Sequence, residues 1–176
     1  MKRLFLIGFM GAGKSTLGKA FAEYAGLSFI DLDIFIENRF HKTISEIFAE
    51  KGETTFRNIE RNALLEVSDF ENIIIATGGG APCFGDNINL MNERGTTIYL
   101  KVSVDELTAR VGLHKHTRPL LKNLSGDELK QYITSTLSKR EKWYNQAKIT
   151  MEAEQMNTPS DVTVLCNQLE KLLSNC

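Results

Sequence analysis

Residues 8–15 read GFMGAGKS and match the pattern G-x-x-x-x-G-K-[ST] at all four of its defined positions. The match lies between a predicted strand at residues 4–8 and a segment with helical spacing, which is the context that this motif requires. Its glycines allow successive backbone N–H groups to point inward, and the following helix directs its partial positive end at the same place. The stretch therefore predicts a loop that binds the phosphates of a nucleotide.

Two side chains of this loop suit phosphate chemistry. Lys14 can reach the β- and γ-phosphates of a nucleotide, and the hydroxyl of Ser15 can ligate Mg²⁺. The alternative is a chance glycine-rich turn, which the strand–loop–helix setting disfavours. The motif alone does not separate a kinase from a GTPase or a mechanical ATPase.

Outside the loop, short apolar runs alternate with longer amphipathic segments, which is typical of an α/β protein with a parallel sheet. Continuous apolar runs such as residues 73–76 suit strands that are covered on both faces. Five strands are predicted, at residues 4–8, 28–30, 73–77, 97–100 and 149–151.

Several helix starts are marked by capping residues. Three pairs fit the capping box, in which two side chains satisfy free N–H groups in the first turn of a helix. These pairs are Thr43 with Glu46, Ser103 with Glu106, and Ser125 with Glu128. A further helix is predicted after Thr158, where Pro159 suits the first turn.

Composition limits the class of protein. The chain has 176 residues, 42% of them hydrophobic and 24% charged, so we expect one domain spanning residues 1–176. A net charge of −1 gives no basic footprint, and nucleic acid is not an expected partner. Three cysteines without a CxxC pair indicate neither a disulfide framework nor a zinc site. We expect a cytoplasmic monomer.

The first residues imitate a signal peptide, because Lys2 and Arg3 precede an apolar run. That run is broken by Gly8, Gly11 and Gly13, too early for a secretory hydrophobic region of about 7–15 residues. No later run approaches the ~18 residues of a membrane span. A soluble, unprocessed protein without a membrane partner is expected.

Asp31 and Asp33 follow the second predicted strand. In a parallel sheet this position is the carboxyl edge, where ligands bind. One carboxylate could face hydrated Mg²⁺ and the other an acceptor hydroxyl. An equally good interpretation is a helix N-terminus, where the dipole favours Asp.

Two arginines are candidates for binding an anion. Arg57 and Glu60 share a helix face if this segment is helical, so Glu60 could hold the guanidinium, although a surface ion pair is the commoner explanation. Arg140 falls on an inward stripe and needs an anionic partner, either a structural carboxylate or a substrate. The apolar members of that stripe are Leu129, Ile133, Leu137 and Tyr144.

Residues 77–81 read TGGGA and follow the most apolar strand. Three consecutive glycines are costly in ordered chain unless something must approach closely. A flexible turn is the alternative, but the position favours a platform whose backbone N–H meets a substrate. Residues 113–124 are basic and lack periodicity, so they indicate either a mobile loop or, equally well, an ordinary solvated surface loop.

These motifs, taken in order, resemble the shikimate kinase family. The resemblance rests on GFMGAGKST, the DLD pair, FR-x-x-E, TGGG, a basic loop ending RPLL, and an arginine four residues before a tyrosine, and covers about residues 3–145. It implies an α/β/α P-loop fold whose five-stranded parallel sheet has the order 2-3-1-4-5. It further implies transfer of the γ-phosphoryl of ATP to the 3-hydroxyl of shikimate.

The resemblance also implies roles for individual residues. Mg²⁺ would lie on Ser15 and, through water, near Asp31, while Asp33 would hold the acceptor hydroxyl. A lid loop at about residues 112–124 would bring Arg118 over the phosphates, where it and Lys14 would neutralise developing charge. The residues implied to bind ATP are Gly11, Ala12, Gly13, Lys14, Ser15, Thr16 and Arg118.

The acceptor acid is shikimate under the same resemblance. Arg57 and Arg140 would bind its carboxylate, and Gly79 would contact the ring substituents by its backbone. Arg110 would lie against the adenine. Asn157 is shorter than the residue common there, and the Pro82-Cys83 pair is less usual, so neither is assigned a contact.

Two rival functions remain at this point. A gluconate kinase also handles a carboxylate and hydroxyls, but the combined motifs fit a shikimate site better. A nucleotide-binding module without catalysis would not need the acceptor residues Asp33, Arg57 and Arg140.

Overall fold

The computed structural model describes residues 2–113, 121 and 124–175 of the chain. Five parallel strands form one sheet in the order β2-β3-β1-β4-β5. This confirms the predicted order, and each predicted strand end lies within one residue of the observed one. The strands are β1 (Arg3–Ile7), β2 (Ser28–Asp31), β3 (Ile73–Ala76), β4 (Thr96–Lys101) and β5 (Ile149–Glu152).

Seven α-helices and one short 3₁₀ turn connect the strands within the described residues. The turn spans Ala81–Cys83. The helices are α1 (Lys14–Ala25), α2 (Leu32–Phe40), α3 (Ile44–Val67), α4 (Asn87–Arg94), α5 (Val104–Leu113), α6 (Gly126–Tyr144) and α7 (Pro159–Ser174). None of these helices combines the length and the apolar character that a membrane-spanning segment needs.

Alternate residues of the strands supply two separate cores. In β1, Leu4 and Leu6 face the side covered by α1, α5, α7 and most of α6. Phe5 and Ile7 face the other side, covered by α2, α3 and α4. Side chains of a strand alternate between faces, so a sheet buried on both sides reads as a continuous apolar run. The predicted three-layer α/β/α arrangement is confirmed.

The central position of β1 sets the place of the site. Its neighbours are β3 on one side and β4 on the other, so the loops after β1 and β3 leave the same edge side by side. Thr77 joins them, because its backbone N–H and its hydroxyl both donate to the carbonyl of Leu6 at 3.1 Å. Ligands of open parallel sheets bind at such an edge.

The capping boxes at Thr43 and Ser125 are confirmed, and Thr158 forms a further box with Asp161. At α5 the prediction is only half right. The Ser103 hydroxyl accepts the N–H of Glu106 at 3.3 Å, but the N–H of Ser103 itself donates to Glu154 at 2.6 Å.

The carboxylate of Glu106 accepts instead from Arg110, one turn further along α5, at 2.7 Å. A tertiary contact with Glu154 therefore replaces the local half of the box.

Packing of α1 on the sheet predicts the effect of one substitution. A Cβ on Gly18 would lie 2.5 Å from Phe29 and 3.2 Å from Leu6, so Gly18→Ala should lower the free energy of unfolding by about 1–2 kcal/mol despite its better helix propensity. Urea denaturation measures this change. Gly112→Ala is the matched control, because among the described residues its Cβ would meet only Leu129, at 3.9 Å. That variant should be neutral or stabilised by up to ~1 kcal/mol, and equal effects at both positions would contradict the packing explanation.

Candidate functional site

The loop after β1 is a wrapped turn that depends on its glycines. Gly8, Gly11 and Gly13 have φ angles of 139°, 81° and 91°, a region that other residues rarely adopt. Lys14 begins α1 and is buried, and its ammonium group donates to the carbonyls of Gly8 at 2.9 Å and Phe9 at 2.8 Å. The loop is therefore closed around its own lysine at the start of a helix, as the motif predicts.

Asp31 combines the two roles that the sequence left open. Its Oδ1 accepts the N–H groups of Asp33 at 3.1 Å and Ile34 at 3.3 Å, so it caps α2. Its Oδ2 accepts the hydroxyl of Ser15 at 2.5 Å. The hydrogen bonds of the cap hold the Asp31 carboxylate in one orientation. In that orientation it faces the phosphate loop.

Ser15 and Asp31 are suitable ligands for magnesium. Both offer oxygen atoms, which Mg²⁺ prefers, and the ion commonly takes its other ligands from phosphates and water. Among the described residues no group of three or more His, Cys, Asp or Glu side chains could hold a metal by itself. The donor set therefore fits an ion that is shared with a nucleotide.

Asp33 lies in the first turn of α2 and lines the same cleft as Lys14 and Ser15. Burial raises the pKa of its carboxyl to about 6, and the negative charge of Asp31 adds to the rise, while Lys14 and Arg57 oppose it. At neutral pH the group is ionised but readily protonated. Such a carboxylate can orient a hydroxyl and accept its proton.

The glycine segment (residues 78–80) follows β3 at a place with little room for side chains. Its φ angles are ordinary, since none of the three is among the positive-φ glycines. A Cβ on Gly78, however, would lie 2.8 Å from Oδ1 of Asp33 and 2.9 Å from Oε1 of Glu60. The glycine is needed for close approach of two carboxylates.

The next two glycines are approached by the two arginines. A Cβ on Gly79 would lie 3.5 Å from Nη1 of Arg140, and one on Gly80 would lie 2.5 Å from Nη2 of Arg57. The predicted close approach is confirmed, although protein side chains make it. Arg57 and Arg140 therefore turn toward the same short segment.

Arg57 is held as the sequence suggested. Its Nη1 donates to Glu60 at 2.7 Å, and the two side chains are only 14% and 1% exposed. The rings of Phe48 and Phe56 lie 5.8 and 5.4 Å from the guanidinium carbon. This is a buried pair rather than the surface ion pair that was the commoner explanation.

A break in α3 lets Phe48 reach this place. Gly52 has φ 76° and ψ 168°, so the helix is interrupted there. The ring centroids of Phe48 and Phe56 then lie 4.3 Å apart. Both ring centroids of this aromatic pair therefore lie within 5.8 Å of the guanidinium carbon of Arg57.

Arg140 differs from Arg57 in lacking a carboxylate. Within the described part of the chain no Asp or Glu lies at ion-pair distance from it. It is partly buried on α6, with its guanidinium carbon 5.8 Å from the ring centroid of Phe9. Arg140 nevertheless interacts with its surroundings, because its charge lowers the pKa of Glu60 and its side chain is hydrogen-bonded to the hydroxyl of Tyr144. Of the two partners that the sequence allowed, a structural carboxylate at ion-pair distance is absent among the described residues.

A cleft of about 760 Å³ lies along the sheet edge. It is lined by the phosphate loop, Asp31, Asp33 and Gly79 on one side, and by Arg110 and Asn157 on the other. Arg57 and Arg140 do not line it directly, but contact its wall at the glycine segment. Arg118 and most of the predicted lid lie outside the described residues.

Arg110 is anchored at the far end of the cleft. Its Nε donates to Glu106 at 2.7 Å, and its Nη2 donates to the carbonyls of Ala153 at 3.0 Å and Glu154 at 2.5 Å. Its buried Nη1 has no hydrogen-bond partner within the described residues. Met156 packs over Gly13 beside it, a contact that no sequence motif indicated.

The unusual Pro82-Cys83 pair lies in the 3₁₀ turn after the glycine segment. Pro82 is buried and Cys83 is half-buried. Burial raises the pKa of the Cys83 thiol to about 11, although Arg140 and Arg57 oppose the rise. The thiol is therefore protonated at neutral pH and is a poor nucleophile.

Taken together, these features define a class. A parallel sheet of this order, a phosphate loop after β1, and a buried carboxylate beside arginines at the same edge are the parts of a P-loop kinase that phosphorylates a small molecule.

Comparison with known proteins gives the family. The family model for shikimate kinase matches residues 10–170. A shikimate kinase of Parabacteroides distasonis is 60% identical over 173 residues, which are 98% of this chain and 100% of that relative. The chain belongs to the shikimate kinase family.

Two crystal structures agree. The shikimate kinase from Bacteroides thetaiotaomicron superposes with a TM-score of 0.96 at 47% identity, covering 98% of each chain. The one from Acinetobacter baumannii, solved in complex with shikimate, gives 0.86 at 32% identity, covering 99% of this chain and 94% of that one. A gluconokinase from Sinorhizobium meliloti superposes with a TM-score of 0.58 at 16% identity, covering 98% of this chain and 95% of that one, a likeness that shows the fold alone.

The raised pKa of Asp33 predicts a stability effect that depends on pH. A carboxyl whose pKa is higher in the folded than in the unfolded chain loses stability as pH rises through that interval, here from about 4 to about 6. Asp33→Asn should therefore raise the free energy of unfolding by about 1–3 kcal/mol at pH 8 and leave it nearly unchanged at pH 4. Urea titrations at both pH values measure this difference.

Asp105→Asn, at a carboxylate that is 80% exposed, is the control and should change stability by less than ~0.5 kcal/mol at either pH. If Asp33→Asn were instead less stable than the wild type at pH 8, the negative charge of Asp33 would have to be compensated by its neighbours in the folded protein.

Proposed function

We propose that the protein is an ATP-dependent kinase that transfers the γ-phosphoryl group to the 3-hydroxyl of shikimate, giving 3-phosphoshikimate and ADP. This reaction belongs to the chorismate pathway of aromatic amino acid biosynthesis. The observation that carries the proposal is Arg140, a partly buried cation without a described carboxylate partner, which turns toward the glycine segment beside Asp33 and Arg57. An organic acid bound there would supply the missing anion.

The phosphate half of the reaction falls to the loop and α1. The N–H groups of residues 11–16 and the ammonium of Lys14 bind the β- and γ-phosphates. Ser15 and Asp31 hold Mg²⁺, which supplies charge neutralisation on the phosphate oxygens when bound. Phosphoryl transfer depends chiefly on positioning and charge neutralisation, so these contacts account for most of the proposed catalysis.

The acceptor half lies at the glycine segment. Arg57 and Arg140 bind the carboxylate of shikimate, because guanidinium groups match carboxylates in bidentate geometry. The backbone of Gly79 contacts the ring substituents. Asp33 orients the 3-hydroxyl and accepts its proton, for which a pKa of about 6 is well suited.

The remaining parts of the proposal concern the lid and the state of the protein. The lid at about residues 112–124 closes over the phosphates, where Arg118 neutralises charge and the closed lid excludes water. We further propose that residues 1–176 act as one domain in a cytoplasmic monomer. Light scattering of the purified protein measures its mass.

Turnover with a panel of acids tests the function directly. We expect ADP release in the presence of ATP and Mg²⁺ to be stimulated strongly by shikimate and not by gluconate or quinate. A phosphorus NMR spectrum of the product identifies the phosphorylated hydroxyl. Stimulation by gluconate alone would show that gluconate, and not shikimate, is the acceptor. No stimulation by any acid would favour a nucleotide-binding module.

Arg140 should matter for the acid and not for the nucleotide. Arg140→Ala removes the guanidinium, and the loss of a charge-assisted bidentate contact should raise KM for shikimate by about 30–1,000-fold while KM for ATP changes less than about twofold. Steady-state kinetics with each substrate varied in turn measure both constants. Lys139→Ala, at the exposed neighbouring position of α6, is the control. A comparable rise in both constants would contradict the assignment.

A further inference from the structure

The turn that contains the glycine segment satisfies part of its own backbone. The carbonyl of Gly78 accepts the N–H of Ala81 at 3.1 Å, and the carbonyl of Gly80 accepts the N–H of Cys83 at 3.0 Å. The carbonyl of Ala81 accepts the N–H of Phe84 at 3.4 Å, so local bonds engage three of the four carbonyl groups of residues 78–81 and leave that of Gly79 without a local donor.

Two buried side chains from other elements also donate to carbonyl groups of this segment. The hydroxyl of Tyr144, at the end of α6, donates to the carbonyl of Gly79 at 2.6 Å. The amide of Asn87, in the first turn of α4, donates to the carbonyl of Ala81 at 2.8 Å. Both side chains belong to residues that are 0% exposed, so neither bond competes with bulk water.

The N–H groups of the same segment are left for a ligand. Within the described residues, no backbone carbonyl or side chain accepts the N–H of Gly78, Gly79 or Gly80. Because a peptide unit is planar and trans, its C=O and N–H point in opposite directions. The bond from Tyr144 to the carbonyl of Gly79 therefore also sets the direction of the Gly80 N–H.

Tyr144 is well placed for this task. Burial raises the pKa of its phenol, so the hydroxyl keeps its proton and remains a donor. Arg140 lies one turn earlier on α6 and contacts the same segment. Residues four apart share a helix face, and one rigid helix thus fixes the guanidinium and the Gly79–Gly80 peptide relative to each other.

We propose that Tyr144 is a positioning residue for the acceptor acid: it holds the Gly79–Gly80 peptide so that the N–H of Gly80 is presented to an oxygen of the acid bound by Arg140. The inference rests on the proposed function for the identity of that acid. Tyr144 touches neither substrate and acts through the peptide; its hydroxyl is also hydrogen-bonded to the side chain of Arg140, so the Gly80 N–H signal is the readout that reports on the peptide itself.

Tyr144→Phe tests the inference, with Tyr99→Phe as the matched control. Tyr99 is also buried, its ring centroid lies 5.1 Å from that of Tyr144, and its hydroxyl donates to no described residue. We expect Tyr144→Phe to raise KM for shikimate about 3–10-fold, the range for one lost neutral hydrogen bond, while KM for ATP stays within twofold. Tyr99→Phe should change neither constant.

A second measurement needs no substrate. In protein labelled with ¹⁵N-glycine, the Gly80 amide signal should shift and exchange faster with solvent in Tyr144→Phe than in the wild type or Tyr99→Phe. If the wild type turns over shikimate but Tyr144→Phe matches Tyr99→Phe in KM and in the Gly80 signal, the inference is overturned. If the wild type shows no shikimate-dependent turnover, the proposed function fails first, and the role of Tyr144 toward this acid fails with it.

Discussion

Four charged side chains that meet at the glycine segment are the main constraint on this structure. Asp33 and Glu60 approach Gly78, and Arg140 and Arg57 approach the two glycines that follow. Isolated burial of any one of these charges would be strongly unfavourable, but opposite charges in contact offset much of that cost. The sheet makes the meeting possible, because β1 and β3 end side by side and bring α2, α3 and α6 to one edge. A methyl group at Gly78 or Gly80 would force these charges apart.

The same crowding sets the chemistry of the edge. The pKa of the Asp33 carboxyl is raised by burial and by the charge of Asp31, and lowered by Lys14 and Arg57. Glu60 has its pKa raised by burial despite its contact with Arg57. The pKa of each carboxyl therefore depends on the charges around it, and one further charged ligand can shift it. An acid bound by Arg140 would add a negative charge, while a nucleotide would engage Lys14.

The sequence predicted most of the fold, because its determinants are local. The apolar runs of the central strands β1, β3 and β4 are buried on both faces, and the ends of all five strands could be placed within one residue. The capping box at Ser103 was predicted only in part, since Glu154 is 51 residues away and replaces the local partner. Arg57 with Glu60 could be foreseen from helical spacing, but their burial could not.

Other parts of the site have no local signal. Tyr144 sits on an apolar stripe and was assigned to the core, because nothing in the sequence shows that its hydroxyl meets a carbonyl 65 residues away. The glycine run indicated a close approach, but only the structure shows that carboxylates and guanidinium groups make it. Met156 over Gly13 depends on the path of the chain between β5 and α7. These contacts form only when distant segments meet.

The division of the interior by the sheet has an evolutionary consequence. Leu4 and Leu6 support the helices on one side, and Phe5 and Ile7 support α2, α3 and α4, which carry Asp33, Arg57 and Asn87, on the other. Substitutions that accumulate in the core around Phe5 and Ile7 can reshape the acid-binding wall. The helix that follows the phosphate loop meanwhile keeps its own packing. Such a layout lets descendants of one ancestor exchange one acceptor for another without rebuilding the nucleotide end.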